Sequence, residues 1–388
     1  MLQPRSPVPP ADADGAAGPL PAVLRIVSLL VLLYVFLFAI TLMGSAFKTF
    51  GKSFSDALIT GTTNPVIGLM IGLLATSLIQ SSSGTTSIVV GLVAAGALEV
   101  GGAIPIIMGA NMGTTVTNTI VAMGSMGRRI EFQRAFAGAT MHDFFNLLTI
   151  IILFPLEQAT HYLERSASWL SGRLVGTGGV EFHSPVKAIT KPVAKAVKHL
   201  LTDDLSMADV LAGVVMLVLS LLLLFTALAM LTKVMRQVVV ARAKGAFNRR
   251  LERHGILAMA LGLIVTVTVQ SSSITTSLLI PLIGSGIVSL ETALPVTLGA
   301  NVGTTVTALL ASLTGNAAAV TVALVHLLFN LSGIAIFYPW RSLRRVPVRL
   351  AEGLATRTAD NKWFAVYYML GIFFALPLAF VFVSRLFD

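Results

Sequence analysis

Residues 80–87 and 270–277 differ at one position and lie 190 residues apart. Each copy reads Gln-Ser-Ser-Ser-x-Thr-Thr-Ser, and each is followed by Gly-Ala-Asn-x-Gly-Thr-Thr-Val-Thr, at residues 109–117 and again at 299–307. Residues 80–118 align on 270–308 without a gap and share 19 identities in 39 columns. Roughly three or four would arise by chance in a Gly/Ala/Val-rich sequence. The chain is therefore built on a duplicated unit, and its fold must give two hydroxyl-rich clusters equivalent surroundings.

Those clusters sit in very apolar sequence. Of 388 residues, 55% are hydrophobic and only 11% charged, with a mean hydropathy of +0.86. Soluble domains carry about 25% charged residues, so an all-α polytopic membrane protein is expected, in the cell (plasma or inner) membrane. The net charge of +10 belongs to short loops between apolar runs, where it biases orientation and meets anionic lipid; no nucleic acid is expected as a partner. Absence of cysteine excludes disulfides and thiolate chemistry.

The chain divides into five parts. Residues 1–23 form a disordered tail, and the long apolar run after it is unlike a cleaved signal peptide. Residues 24–155 make a first transmembrane repeat: a spanning run, an amphipathic interfacial stretch at 47–58, then the clustered unit from Asn64-Pro65. Residues 156–209 are a polar loop between repeats, and residues 210–340 a second transmembrane repeat. Its connector, with Lys233, Arg236, Arg242, Lys244, Arg249, Arg250 and Arg253 against Glu252 alone, is placed in the cytoplasm. Residues 341–388 hold a basic loop, opened by Arg341, Arg344, Arg345 and Arg349, and a last spanning helix. One connector outside and the other inside makes the two units inverted repeats with broken or re-entrant helices. Such repeats meet at the bilayer midplane, where secondary transporters build their sites.

Buried hydroxyls and amides are costly in hydrocarbon unless they face protein, water or ligand. Gln-Ser-Ser-Ser followed by Thr-Thr-Ser reads as a turn and then a helix start, whose free N–H groups and positive dipole end suit an anion. Gly-Ala-Asn-x-Gly-Thr-Thr reads as a second break, whose carbonyl, Asn and Thr oxygens suit a hard monovalent cation such as Na⁺. No Arg, Lys, Asp or Glu lies in the clusters. Neutral donors can hold a divalent oxyanion with co-bound cations and still release it. A plainer reading is helix–helix packing through small and hydroxyl residues.

Gln-Ser-Ser-Ser in both halves, Pro105-Ile106-Ile107-Met108-Gly109-Ala110-Asn111, residues 131–138 (Glu-Phe-Gln-Arg-Ala-Phe-Ala-Gly) and residues 304–310 (Thr-Thr-Val-Thr-Ala-Leu-Leu) resemble the type II sodium–phosphate cotransporter family and its bacterial relatives. The resemblance covers about residues 59–338. It implies Na⁺-driven uptake of inorganic phosphate by alternating access, with Na⁺ as coupling ion and no cofactor. By resemblance, Gln80, Ser81, Ser82, Ser83, Gln270, Ser271, Ser272 and Ser273 would contact phosphate. Sodium would fall to Gln80, Ser83, Thr85, Thr86, Asn111, Thr114, Thr115, Gln270, Ser273, Thr275, Thr276, Asn301, Thr304 and Thr305. Inorganic phosphate, Na⁺ and membrane lipid are the expected partners, and a homodimer is one assembly compatible with the sequence. Animal members are described with a cysteine-bridged extracellular loop, which this cysteine-free chain lacks.

His142 with Asn146, and His326 with Asn330, recur at an offset of 184, each pair one helical turn apart. They are expected as supporting polar pairs that lock the return helices. Asp143 has no match, since Leu327 takes its place; it is expected at a solvated helix end. Glu99 and Glu291 are expected exposed in hairpin turns. Two rival functions remain open here: a passive anion channel or exchanger on the same fold, and a serine-nucleophile enzyme, against which no Gly-x-Ser-x-Gly elbow is present.

Overall fold

The computed structural model describes residues 22–51, 64–175, 185–243 and 254–384. Of the tail expected at 1–23, residues 22 and 23 are instead the first of a helix; residues 1–21, most of the interfacial stretch at 47–58, the connector at 244–253 and the terminus at 385–388 lie outside the described residues.

Among the described residues every regular element is helical. Six helices are long and apolar enough to cross a membrane: Ile26–Thr49, Arg129–Thr160, Asp209–Val234, Leu290–Ser312, Ala317–Phe337 and Trp363–Ser384. Lipid-facing positions on the first and third are large and apolar, among them Ile26, Leu30, Val214, Val218 and Leu222. This is an all-α polytopic membrane protein.

In chain order, α1 (Ala22–Thr49) is followed by two short apolar helices, α2 (Pro65–Ile79) and α3 (Ser82–Ala95). Asn64 caps α2 by accepting from the Val66 N–H at 3.0 Å, and Pro65 stands where a missing N–H costs nothing. Fifteen residues of helix span about 22 Å, short of a hydrocarbon core of about 30 Å. The α2–α3 pair therefore enters and turns back. Next come α4 (Val100–Gly113), α5 (Val116–Met123) and α6 (Arg129–Thr160). The segment expected as a polar loop carries two helices, α7 (Tyr162–Val175) and α8 (Pro185–His199). Both are amphipathic, packing α7 on a later span and α8 on α1, so their polar residues mark an exposed face rather than an unstructured link.

The second half repeats the plan. The long α9 (Asp209–Ala243) packs along α1, and the short α10 (Gly255–Val269) precedes α11 (Ser272–Ser277) and α12 (Leu279–Gly284), which together form one apolar helix through Leu278. Then come α13 (Leu290–Ser312) and α14 (Ala317–Phe337). The amphipathic α15 (Arg341–Asp360) lies on α6, and the last span runs through α16 (Trp363–Leu370), a π-helical turn at Gly371–Ala375 and α17 (Leu376–Ser384). Pro377 comes just after the π turn and has no N–H to give the carbonyl four residues back, which accounts for the widened turn there.

Glycine sets how closely each short helix meets its partner. A side chain at Gly72 would run into the Ile106 carbonyl, and one at Gly109 into the Leu69 carbonyl. Gly262 stands against the Val296 carbonyl and Gly299 against the Met259 carbonyl, the same four positions moved by 190. Both halves thus bring backbone to backbone, α2 on α4 and α10 on α13. Gly109→Ala and Gly299→Ala should each lower stability by at least about 2 kcal/mol, as overpacking does. Gly101→Ala, where a Cβ meets nothing within 4 Å, should leave it unchanged; thermal unfolding of the purified protein checks both.

Candidate functional site

Each Gln-Ser-Ser-Ser begins as the end of one helix and finishes as the start of another. Gln80 closes α2 in the left-handed region (φ 56°) and Gln270 closes α10 in the same conformation (φ 57°). Their N–H groups bond back to the Thr76 and Thr266 carbonyls, both at 2.7 Å. A non-glycine residue held there costs on the order of 1–3 kcal/mol, strain that the surrounding packing must hold in place. The next residue is extended in both copies: Ser81 accepts from the Gly84 N–H at 3.1 Å, and Ser271 from the Ile274 N–H at 3.4 Å. The turns are pinned identically by hydroxyl pairs, Thr76 to Thr85 at 2.9 Å and Thr266 to Thr275 at 2.8 Å.

The two helix starts converge. The Ser83 hydroxyl donates to the Gln270 carbonyl at 3.5 Å, and the Thr276 hydroxyl to Asn118 Oδ1 at 3.0 Å. Ser82, Ser83, Thr85 and Thr86 are buried, as are Ser272, Ser273, Thr275 and Thr276; Ser81, Gln270 and Ser271 are half-buried. The start of α3 thus meets the turn that ends α10 and leads into α11, and the eight buried hydroxyls of the two turns carry no formal charge. No hydrogen bond joins a triplet serine to a histidine among the described residues.

The asparagines form a second centre. Asn301 Nδ2 donates to Asn146 Oδ1 at 3.0 Å, so the Asn301 oxygen faces His142 Nε2 at 2.7 Å and His142 must donate. Reciprocally, Asn111 Oδ1 accepts from His326 Nε2 at 3.3 Å and from Asn330 Nδ2 at 3.2 Å, while Asn146 Nδ2 donates to the Asn111 carbonyl at 3.1 Å. Each half's histidine thus grips the other half's asparagine, the pairing expected of two units about a pseudo-twofold axis. The supporting residues are not separate pairs locking their own helices; they make one buried hub. Thr114, Thr115, Thr304 and Thr305 are buried or nearly so, and their hydroxyl protons go to carbonyls three or four residues back on the same chain.

Three positions depart from expectation. The second break exists in one half only: Thr114 and Thr115 interrupt the helix between α4 and α5, whereas α13 runs unbroken past Thr304 and Thr305. The Thr-Thr-Val-Thr sequence is common to both, so the cause lies in the residues downstream: Asn118, Thr119 and Ile120 in place of the better helix formers Ala308, Leu309 and Leu310. Asp143 is not at a solvated helix end. Because α6 starts at Arg129, Asp143 lies about four turns inside it, 1% exposed, with Oδ2 accepting from the Tyr368 hydroxyl at 2.8 Å and Oδ1 unpartnered. Thirdly, the two glutamines differ. Gln270 is held, its Oε1 accepting from Thr307 at 2.9 Å and its Nε2 donating to the Val267 carbonyl at 2.7 Å. Gln80 is exposed, and the hydroxyl of Thr117, the match of Thr307, is buried without a partner. Glu99 and Glu291 are exposed, as expected, but only Glu99 lies in the connecting turn; Glu291 is in the first turn of α13.

Sequence reading missed Asn118, Thr76, Thr266, Thr307 and Tyr368. Asn118 faces Ala308 in the repeat alignment, and Tyr368 lies outside the repeat, so neither stood out as a matched position. Asn301→Ala and Asn111→Ala should each cost about 1–3 kcal/mol, since a buried histidine N–H loses its acceptor. His142→Ala and Asn301→Ala should be non-additive by at least about 0.5 kcal/mol in a double-mutant cycle on thermal stability.

Comparison with known proteins gives the chain a family. The family described as Na+/Pi-cotransporter matches residues 35–167 and 222–351, which take in both Gln-Ser-Ser-Ser turns and the whole hub. Sodium-dependent phosphate transport protein 2B of Homo sapiens is 36% identical over 446 residues, covering 91% of this chain and 64% of that protein. Sodium-dependent phosphate transport protein 2A of Rattus norvegicus is 36% identical over 427 residues, covering 91% of this chain and 67% of that protein. The chain thus spans about two thirds of the length of these relatives. No solved structure matches it. With the family matching 263 of its 388 residues and relatives 36% identical over 91% of its length, this chain is a member of the Na+/Pi-cotransporter family.

Proposed function

We propose that this protein is a secondary active transporter coupling Na⁺ entry to uptake of inorganic phosphate by alternating access between two inverted repeats, residues 24–155 and 210–340. The observation that carries the reading is the meeting of two helix starts from matched halves, Ser83 against Gln270. Backbone N–H groups and serine hydroxyls there suit a phosphate, and its charge calls for co-bound cations because the protein supplies none at that point. Family membership, and relatives named as sodium-dependent phosphate transport proteins, support the same pairing of ions.

Alternating access draws support from the glutamines. Matched sequences hold Gln270 closed on Thr307 while Gln80 points outward from an unpartnered Thr117. Exchange of these two arrangements would expose one repeat and close the other. Asp143 puts a buried acid midway along α6, bonded to Tyr368, and acids held inside a membrane mark ion pathways.

Phosphate uptake into proteoliposomes tests the reading. A Na⁺ gradient should drive accumulation, and equimolar K⁺ should abolish it; flux that persists in K⁺ assigns the fold to a passive anion pathway instead. Ser83→Ala and Ser273→Ala should each lower uptake about tenfold or more with the protein still in the membrane, as loss of a charge-assisted hydrogen bond does. Asp143→Asn should raise the Na⁺ concentration for half-maximal uptake at least several-fold, with the phosphate requirement less affected. Because the chain has no cysteine, Gln80→Cys and Gln270→Cys give single thiol reporters. Modification from one side should be fast at position 80 and slow at 270 without substrate, and Thr307→Ala should speed it at 270.

A further inference from the structure

Charge on α15 is uneven. Arg341, Arg344, Arg345 and Arg349 fall in its first half, and no acid precedes Glu352 on the helix. None of the four has an ion-pair partner among the described residues; Arg344 rests on the Tyr338 ring, 5.1 Å from its centre. Further along, the helix is fixed to α6 by the Arg129–Asp360 ion pair and by Gln133 donating to Thr356 at 3.1 Å. Its buried face includes Pro347, Val348, Ala351 and Ala355. The arginines are thus held on a docked helix, not on a free loop.

Three of them converge. Arg341, Arg344 and Arg345 line a cavity of about 280 Å³ with Glu291, Leu294 and Val348. Three arginines and a single glutamate share its lining, at the end of α15 where the helix's own dipole adds positive charge. Positive residues that serve only to orient a span need no common cavity.

The location favours lipid. α15 comes directly after the span Ala317–Phe337 and precedes the span Trp363–Ser384, so both its ends lie at the membrane surface. Trp340 and Trp363, at its two ends, are each 64% exposed, the position tryptophan takes between headgroups and hydrocarbon. Leu343 and Leu350 are exposed beside the arginines, and Leu294 and Val348 give the cavity apolar walls. We propose that this pocket binds the phosphate-bearing headgroup of an anionic phospholipid, with the guanidinium forks on phosphate oxygens and the apolar walls against the glycerol end. Inorganic phosphate shares the oxyanion chemistry but would leave the exposed apolar surface beside the pocket uncovered. The site is distinct from the Gln-Ser-Ser-Ser junction, and its test needs no transport.

Purified full-length protein in detergent would be titrated with fluorescent phosphatidylglycerol, against phosphatidylcholine and against inorganic phosphate. Wild type should prefer phosphatidylglycerol, and Arg341→Gln/Arg344→Gln/Arg345→Gln should weaken it on the order of a hundredfold, as expected for three juxtamembrane charges. Lys191→Gln/Lys195→Gln/Lys198→Gln, equal in charge but on exposed positions of α8, should leave the preference intact. Equal binding of the two lipids by wild type would overturn the proposal, as would retention by the arginine variant or equal loss in the lysine variant. Displacement of the lipid by millimolar inorganic phosphate would give the pocket to the free anion and overturn it as well.

Discussion

A helix that starts inside a membrane leaves N–H groups with neither water nor backbone to accept them. This protein has two buried helix starts built alike, one per half. Each needs a left-handed glutamine to end the preceding helix, an extended serine to cap the next, and a threonine pair to hold the turn. Each also needs its short helix seated backbone to backbone on a longer one, which glycine at 72, 109, 262 and 299 permits. The first N–H groups of each start are bonded within the turn, to the Ser81 and Ser271 hydroxyl and carbonyl oxygens.

The halves are alike in the residues that build the turns and unlike in those that surround them. The reciprocal histidine–asparagine bonds tie the repeats together across their junction. Asn111, Asn146 and Asn301 each donate and accept, which fixes one arrangement of amides and rings. Around this hub, the first half carries Asn118, Thr119 and Asp143 where the second has Ala308, Leu309 and Leu327. The break between α4 and α5 occurs on that polar side and is absent from α13. Matched residues therefore build a common frame around an interior that differs between the two halves.

Much of this was legible because duplication makes a sequence its own comparison. The helix starts at Ser82 and Ser272, the Asn64-Pro65 opening and the exposure of Glu99 and Glu291 come from local chemistry that survives in the fold. Sequence reasoning failed where residues outside a motif decide, whether further along the same helix or packed against it. Thr114-Thr115 and Thr304-Thr305 have the same local sequence yet only the first pair breaks a helix. Asp143 reads as a helix end only if α6 begins at the apolar Phe136; the polar turn from Arg129 is helical too, because it packs under α15. The polar stretch after Glu157 reads as a loop because its apolar residues are spaced for single faces of α7 and α8.

The central claim is that one oxyanion sits between the two serine turns and is touched by both. Anomalous scattering from arsenate bound to the crystallised protein in Na⁺ tests it most directly. The account predicts a single arsenic peak at the junction, within hydrogen-bonding reach of Ser82 or Ser83 on one side and Ser272 or Ser273 on the other. A peak confined to one triplet, or found only among the arginines of α15, would contradict it.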